Sequence, residues 1–244
     1  MFAIYKRELR SYFTSPLGYV YIAVYLAVSG FLFSMFTVQS AVSGNDTDVA
    51  TYFTFIIFAF SIIIPLLTMR SFSEERKMKT DQLLLTAPVS LWGVVSAKFL
   101  AAYTMFGCTY LVSCLDFYVL FAYQPDALCL PNVGVRLLGY SIAVLLLGGA
   151  FIAIGLFVSS LTENQLIAAM GTNGILALLL KCNMLNDYID IYVIRVVLNW
   201  LSVYGRFANF TYGVFDYAAA LYYASIMFVF LFLTVRIHEK RRWE

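Results

Sequence analysis

Reactive side chains are scarce in this sequence, and that scarcity is the first constraint on function. His238 is the only histidine, and Cys108, Cys114, Cys129 and Cys182 show no C-x-x-C spacing. A zinc site needs about four clustered N or S ligands, so no metal centre is expected. No G-x-x-x-x-G-K-[ST] phosphate loop occurs, so the chain does not hydrolyse ATP by that route. No serine stands beside a histidine or cysteine in a nucleophile pattern. The expectation is a chain with no catalytic residues and no cofactor of its own.

The densest polar chemistry lies at 70–90, RSFSEERKMKTDQLLLTAPVS, between two apolar runs. Ser71 and Glu74 have the spacing of a capping box, in which each side chain satisfies a free amide at a helix start. Glu75 with Lys79, and Lys77 with Asp81, are four apart and so can meet on one helix face. Pro88 lacks an N–H and ends the pattern. The segment reads either as a short surface helix offered to a cytosolic partner or as a solvated connection between spans.

The elements around it follow from composition. Of the 244 residues, 62% are hydrophobic and 12% charged, and the mean hydropathy is +0.82. Soluble domains carry roughly 25% charge, so the class is a polytopic membrane protein. The expected architecture is all-α, a single transmembrane domain over 1–244. Spans are predicted at about 17–38, 51–69, 94–122, 137–159, 165–181 and 217–235. Short outer helices are predicted between spans five and six, where Asp187, Asp190, Arg195 and Arg206 mix with Tyr188, Tyr192, Trp200 and Tyr204.

Ahead of the first span, Phe2, Tyr5, Leu9, Tyr12 and Phe13 form one stripe at helical spacing. Lys6, Arg7, Glu8 and Arg10 supply its charges. The stripe predicts an interfacial helix with its aromatic face among lipid headgroups, broken by Ser15-Pro16. Lys98, at the start of span three, is expected to snorkel. Asp116 is a charged group within a span. It lies about 17 residues, or about 26 Å, beyond Phe99, which puts it near the far surface as a wet, structural aspartate. Gly148, Gly149, Ala150 and Ala153 predict a close helix approach in span four, and Asn173 predicts an interhelical bond in span five. Cys129 and Cys182 fall on the outer side, as separate thiols or as a pair.

Six spans put both ends on one side. With the termini inside, twelve of the sixteen Lys and Arg lie on inner segments. That excess predicts cytosolic termini and a cytosolic 70–90 segment in the plasma membrane. No span carries repeated acids or arginines, as a pump would need.

Three stretches, MFAIYKRELRSYFTSPLGYVYI, MRSFSEERKMKTDQLLLTAPVS and GLFVSSLTENQLIAA, occur in this order and cover about a quarter of the chain. They resemble the membrane subunits of type-two ABC exporters, nearest to the permeases of gliding-motility and copper-maturation systems. The resemblance implies two permease subunits, like or unlike, in the lipid bilayer, carrying separate ATPase subunits that bind the ATP. It implies that Ser73, Glu74, Glu75, Arg76, Lys77, Thr80 and Asp81 form the element that couples to the ATPase. It also implies that 2–13 is the connecting helix, and that outer re-entrant helices close the pathway. The family pattern is often E-E-x-x-x-G-T; Glu74, Glu75 and Thr80 match, but Lys79 stands where glycine is usual. No nucleic-acid partner is expected. Two other classes share the composition: a stand-alone carrier or channel using Asp116 and Asn173, and a membrane anchor that transports nothing.

Overall fold

The computed structural model describes residues 2–39, 49–79, 90–123, 133–185, 195–196, 200, 202–207, 210 and 216–243. Among these no strand occurs, as the all-α expectation requires. The helices are α1 (Phe2–Thr14), α2 (Pro16–Leu32), α3 (Val49–Thr68), α4 (Arg70–Lys77), α5 (Leu91–Tyr123), α6 (Val133–Leu161), α7 (Gln165–Leu185), α8 (Val203–Phe207) and α9 (Tyr217–Trp243). A π-helical turn, Phe33–Val38, extends α2. Among the described residues, six segments are long and apolar enough to cross a membrane: Pro16–Val38, Val49–Lys77, Leu91–Val119, Arg136–Leu161, Gln165–Cys182 and Tyr217–Arg242.

The break between α1 and α2 forms as the sequence predicts. Ser15 caps α2, its Oγ accepting from the Gly18 N–H, and Pro16 occupies the first helical turn, where a missing N–H costs nothing. A Cβ at Gly18 would overlap the Tyr12 carbonyl, so the close approach of the chain across the α1–α2 junction needs glycine there.

Helix α6 is the hub, packed against α3, α4, α5, α7 and α9. Of its apolar window 72% is buried, against 22% for α7 and for α9. The small residues of α6 permit this. Phe106 lies over Gly148, and Met227 and Tyr103 lie over Gly149, so side chains there would overlap them. Gly155, unremarked in the sequence reading, receives Thr68 in the same way. Around α6 the core is aromatic: Phe53 stacks on Tyr140 at 4.5 Å, and Phe33 meets Phe117 edge-on at 4.9 Å.

Several expectations change. The 70–77 helix needs no capping box, because α4 follows α3 after the single turn residue Met69, and Ser71 lies inside it. α4 ends at Lys77, so Glu75 does not meet Lys79 as a helical pair; Glu75 turns to Lys98 instead. α5 begins at Leu91, as a capping role for Ser90 predicts, with Ser90 Oγ accepting from the Gly93 N–H. α9 continues well beyond Val235, to Trp243, so the basic tail is helical. Asp116 is half-buried, within one turn of the end of the apolar stretch of α5. Asn173 is half-buried, and the buried Thr172 hydroxyl donates within its own helix to the Ala168 carbonyl. Thr80, Asp81, Pro88, Cys129, Asp187, Tyr188, Asp190 and Tyr192 lie outside the described residues.

Candidate functional site

The polar chemistry converges where α1, α4 and the first turns of α5 meet the α6–α7 turn. Helix α4 presents one face to the protein: Ser71, Phe72 and Ser73 are buried. Its amide groups are held from outside the helix. The Ser159 Oγ of α6 accepts from the Phe72 and Ser73 N–H groups, each at 3.2 Å, and donates to the Met69 carbonyl at 3.1 Å. One hydroxyl thus closes three bonds across the α3–α4 junction. Ser73, expected at a partner surface, is fully buried, and its hydroxyl donates to the Met69 carbonyl. Its role in the structure is to hold α4 in place.

Lys98 is the residue the sequence reading misplaced. It does not snorkel; only 2% of its side chain is exposed. Its ammonium donates to the Ser71 carbonyl at 2.8 Å and to Glu75 Oε1 at 2.8 Å, with Glu8 Oε1 at 3.4 Å. The Phe72 ring lies 5.1 Å from it. A buried ammonium needs both counter-charge and hydrogen-bond acceptors. The carboxylates come from α1 and α4, the carbonyl from α4. Lys98 therefore ties three helices through one atom.

Helix α1 closes this cluster from the other side. Arg7 pairs with Glu8 at 2.8 Å and reaches Glu75 at 3.6 Å. The hydrogen bond it gives Glu8, helped by the nearby charges of Glu8 and Glu75, holds its guanidinium above the ordinary value despite partial burial. Tyr5 donates to Thr104 of α5 at 3.4 Å, and the Tyr12 hydroxyl meets Ser71 Oγ at 3.1 Å. Burial pushes the Tyr12 phenol up to about 12. The stripe expected among headgroups is thus divided: Tyr5 and Tyr12 face protein, while Phe2 and Phe13 stay exposed. Lys6 and Arg10 are exposed.

The outer face of α4 is charged. Arg70 pairs with Glu74 one turn on. Arg76 donates to the Leu161 carbonyl at 2.7 Å and pairs with Glu163 at 3.0 Å, which fixes the α6–α7 turn against α4. From α9, Arg241 donates to the Ser160 carbonyl at 2.8 Å, and the His238 ring lies 4.7 Å from that of Phe72. Beyond these tethers, Lys77, Met78 and Lys79 project outward; Met78 is 68% exposed. Lys79 has φ of 56°, the single non-glycine residue with positive φ among the described residues. Its N–H donates to the Arg76 carbonyl at 3.1 Å, the bond of a left-handed helix terminus. So the chain takes the glycine conformation where the family pattern usually has glycine.

Residues 3–186 match the model of the ABC-2 family transporter proteins. The chain belongs to the ABC-2 transporter family. It is the multi-pass membrane subunit of an ABC transporter, a transport subunit and not itself a catalytic one. Membership implies association with an ABC ATPase. The comparison with curated proteins gave no match. The matched region holds α1 to α7, and with them Lys98, Ser159 and Glu163; His238 and Arg241 of α9 fall beyond it.

Ser159, Glu163, Lys98 and the α9 tail were not marked as site residues by the sequence reading. One signal for Lys98 is its setting. Ala97, Ala101 and Ala102 around it are all fully buried, and a lysine among small residues marks a closely packed helix face rather than a free interface.

Proposed function

We propose that this ABC-2 subunit couples ATP hydrolysis by a separate cytosolic ATPase to export of a substrate, and that the tip of α4 is the docking element. The observation that carries the reading is the contrast within α4. Its inner face is tethered to α1, α5 and α6 through Glu75, Ser159 and Arg76, while Lys77, Met78 and Lys79 stand clear. An exposed methionine between two cations suits an apolar groove with acidic walls. Glu74 and Glu75 are less suited to docking, since both are engaged within the chain. Two permease subunits, alike or different, would provide the translocation path between them, with both termini cytosolic at the plasma membrane.

The ATPase drives transport only if its ATP-bound form binds one packing of the spans better than the other. The tip of α4 is where that difference is applied. The test is co-purification and ATP turnover of the permease–ATPase complex in liposomes, with K77E and M78D combined. The expected result is loss of the ATPase and of substrate-stimulated hydrolysis, with unchanged melting of the permease. A double variant that keeps its ATPase and its transport overturns the assignment. Direction is read from ATP-dependent uptake into inside-out vesicles.

A further inference from the structure

A half-open cavity of about 680 Å³ lies beside the Lys98 cluster, lined by α1, the start of α2, the end of α3, α4 and Lys98 of α5. Its lining has two parts. One is charged: Arg7, Glu8, Arg70, Glu74, Glu75 and Lys98. The other is apolar: Ile4, Leu17, Tyr21, Leu66, Leu67 and Met78, the last also part of the exposed tip of α4. The apolar part comes mostly from the first turns of α2, where a membrane-crossing segment begins, and the last turn of α3, where the uncharged stretch of the next gives way to the charges of α4. The cavity therefore straddles the boundary between headgroup and hydrocarbon, at the end of the bundle where α1 lies.

We propose that this cavity is a binding site for one zwitterionic phospholipid carrying a primary ammonium, held as a fixed component and not as cargo. The charge of the lining selects the class. Three cations face three carboxylates, and each is already paired within the chain. A net anionic or net cationic headgroup would bring one uncompensated charge into a balanced, partly buried set, which is costly. A headgroup of net zero charge adds its phosphate near Arg7 or Arg70 and its cation near Glu74, the one carboxylate of the three that Lys98 does not engage. A primary ammonium has three N–H donors for that carboxylate, and a trimethylammonium has none. The volume falls within the roughly 300–1,000 Å³ of small-ligand sites. It accommodates a headgroup and the first carbons of the chains, which then run along α2 and α3. The bound lipid would fill the space between α1 and α4. The cavity shares Met78 with the proposed docking tip, but its test uses the permease without the ATPase and variants that leave Met78 in place, so the two assignments fail separately.

The test is native mass spectrometry of the delipidated full chain in mild detergent, offered equal amounts of dioleoyl phosphatidylethanolamine, phosphatidylcholine and phosphatidylglycerol. The expected result is one retained phosphatidylethanolamine per chain, favoured by about five-fold or more over each competitor. L17W, which fills the apolar part, should abolish retention, while L111W, at an exposed position of α5 outside the lining, should not. If L17W fails to fold, E74Q decides: it should cut the preference over phosphatidylcholine without removing the lipid. Equal retention of all three lipids, preference for phosphatidylglycerol, no retained lipid, or an E74Q selectivity equal to wild type each overturns the proposal.

Discussion

Replacing Lys98 by methionine should cost this protein more than any surface charge change. Methionine keeps an unbranched chain one atom shorter, and the ammonium is lost from a site where 2% of the side chain is exposed. What remains is the Ser71 carbonyl and two carboxylates, Glu75 formerly at 2.8 Å and Glu8 at 3.4 Å. At an effective dielectric of about 20, the attraction at the shorter distance is about 6 kcal/mol. Desolvation of the ammonium, several kcal/mol, offsets much of that in the native protein. The variant escapes that penalty but leaves the carboxylates facing an apolar chain. Removing one partner of a buried pair costs about 3–5 kcal/mol. The side chains of Glu75 and Glu8 are 22% and 15% exposed, and Arg7 stays beside both. These facts reduce the expected loss to about 2–3 kcal/mol. The assay is reversible unfolding in mixed micelles across a double-mutant cycle of K98M and E75Q. The cycle should return a coupling energy of about 1–2 kcal/mol, since the two groups touch. Hydrogen exchange should rise in α1 and α4 together. A K98M loss below about 0.5 kcal/mol, the range of surface changes, or additive single effects, would refute the account of Lys98 as a buried tie between helices.

Three further outcomes follow from the same geometry. K79G should raise stability by up to about 1 kcal/mol in thermal melting, because an L-residue in the left-handed region costs about 1–2 kcal/mol and glycine's greater unfolded freedom returns part of it; K79P should lower it, since φ is 56° here. S159A should cost about 2 kcal/mol and raise exchange of the Phe72 and Ser73 amides, as it leaves two buried N–H donors without their acceptor. The folded state holds the Tyr12 phenolic proton more tightly than the unfolded chain, with a value raised from 10.0 to about 12. Its stabilising contribution is therefore complete below pH 10 and is lost as pH rises toward 12. The alkaline loss of α1 protection in wild type should accordingly exceed that in Y12F.

Much of the fold was legible because membrane spans are one-dimensional signals. Length without charge marked all six, and Ser15-Pro16 marked the break between α1 and α2 by local chemistry alone. Long-range pairing left no such trace. The S-x-x-E spacing of Ser71 and Glu74 imitates a helix start, but the helix had already begun, and the amides between them, of Phe72 and Ser73, are bonded to Ser159, 87 and 86 positions away. Glu75 looked like a helical partner for Lys79. The decisive competitor was Lys98, which burial among Ala97, Ala101 and Ala102 made the stronger partner. The aromatic stripe of α1 was read correctly as a stripe. Its destination was not readable, because a face that suits headgroups also suits Thr104 and Ser71. Thr80 and Asp81 fall outside the described residues, so the 70–90 segment is described only as far as Lys79 before Ser90.

The junction differs in kind from the core beneath it. The bundle around α6 is held by aromatic and aliphatic packing, which tolerates neither voids nor compression and so moves as a body. The α4 junction is held by directional bonds from three neighbours: Lys98 of α5, Arg7 of α1 and Ser159 of α6. Directional bonds fix register where apolar contact alone would permit sliding. α4 is only eight residues long, and isolated helices of that length are marginal in water. Its rigidity must therefore come from these tethers and from its continuity with α3. A displacement applied at Met78 passes along one turn to Glu75 and Arg76, and from there to α1, α5 and the α6–α7 turn. That route bypasses the aromatic core, so the tethers and not the core packing determine how stiffly the tip of α4 is joined to the spans.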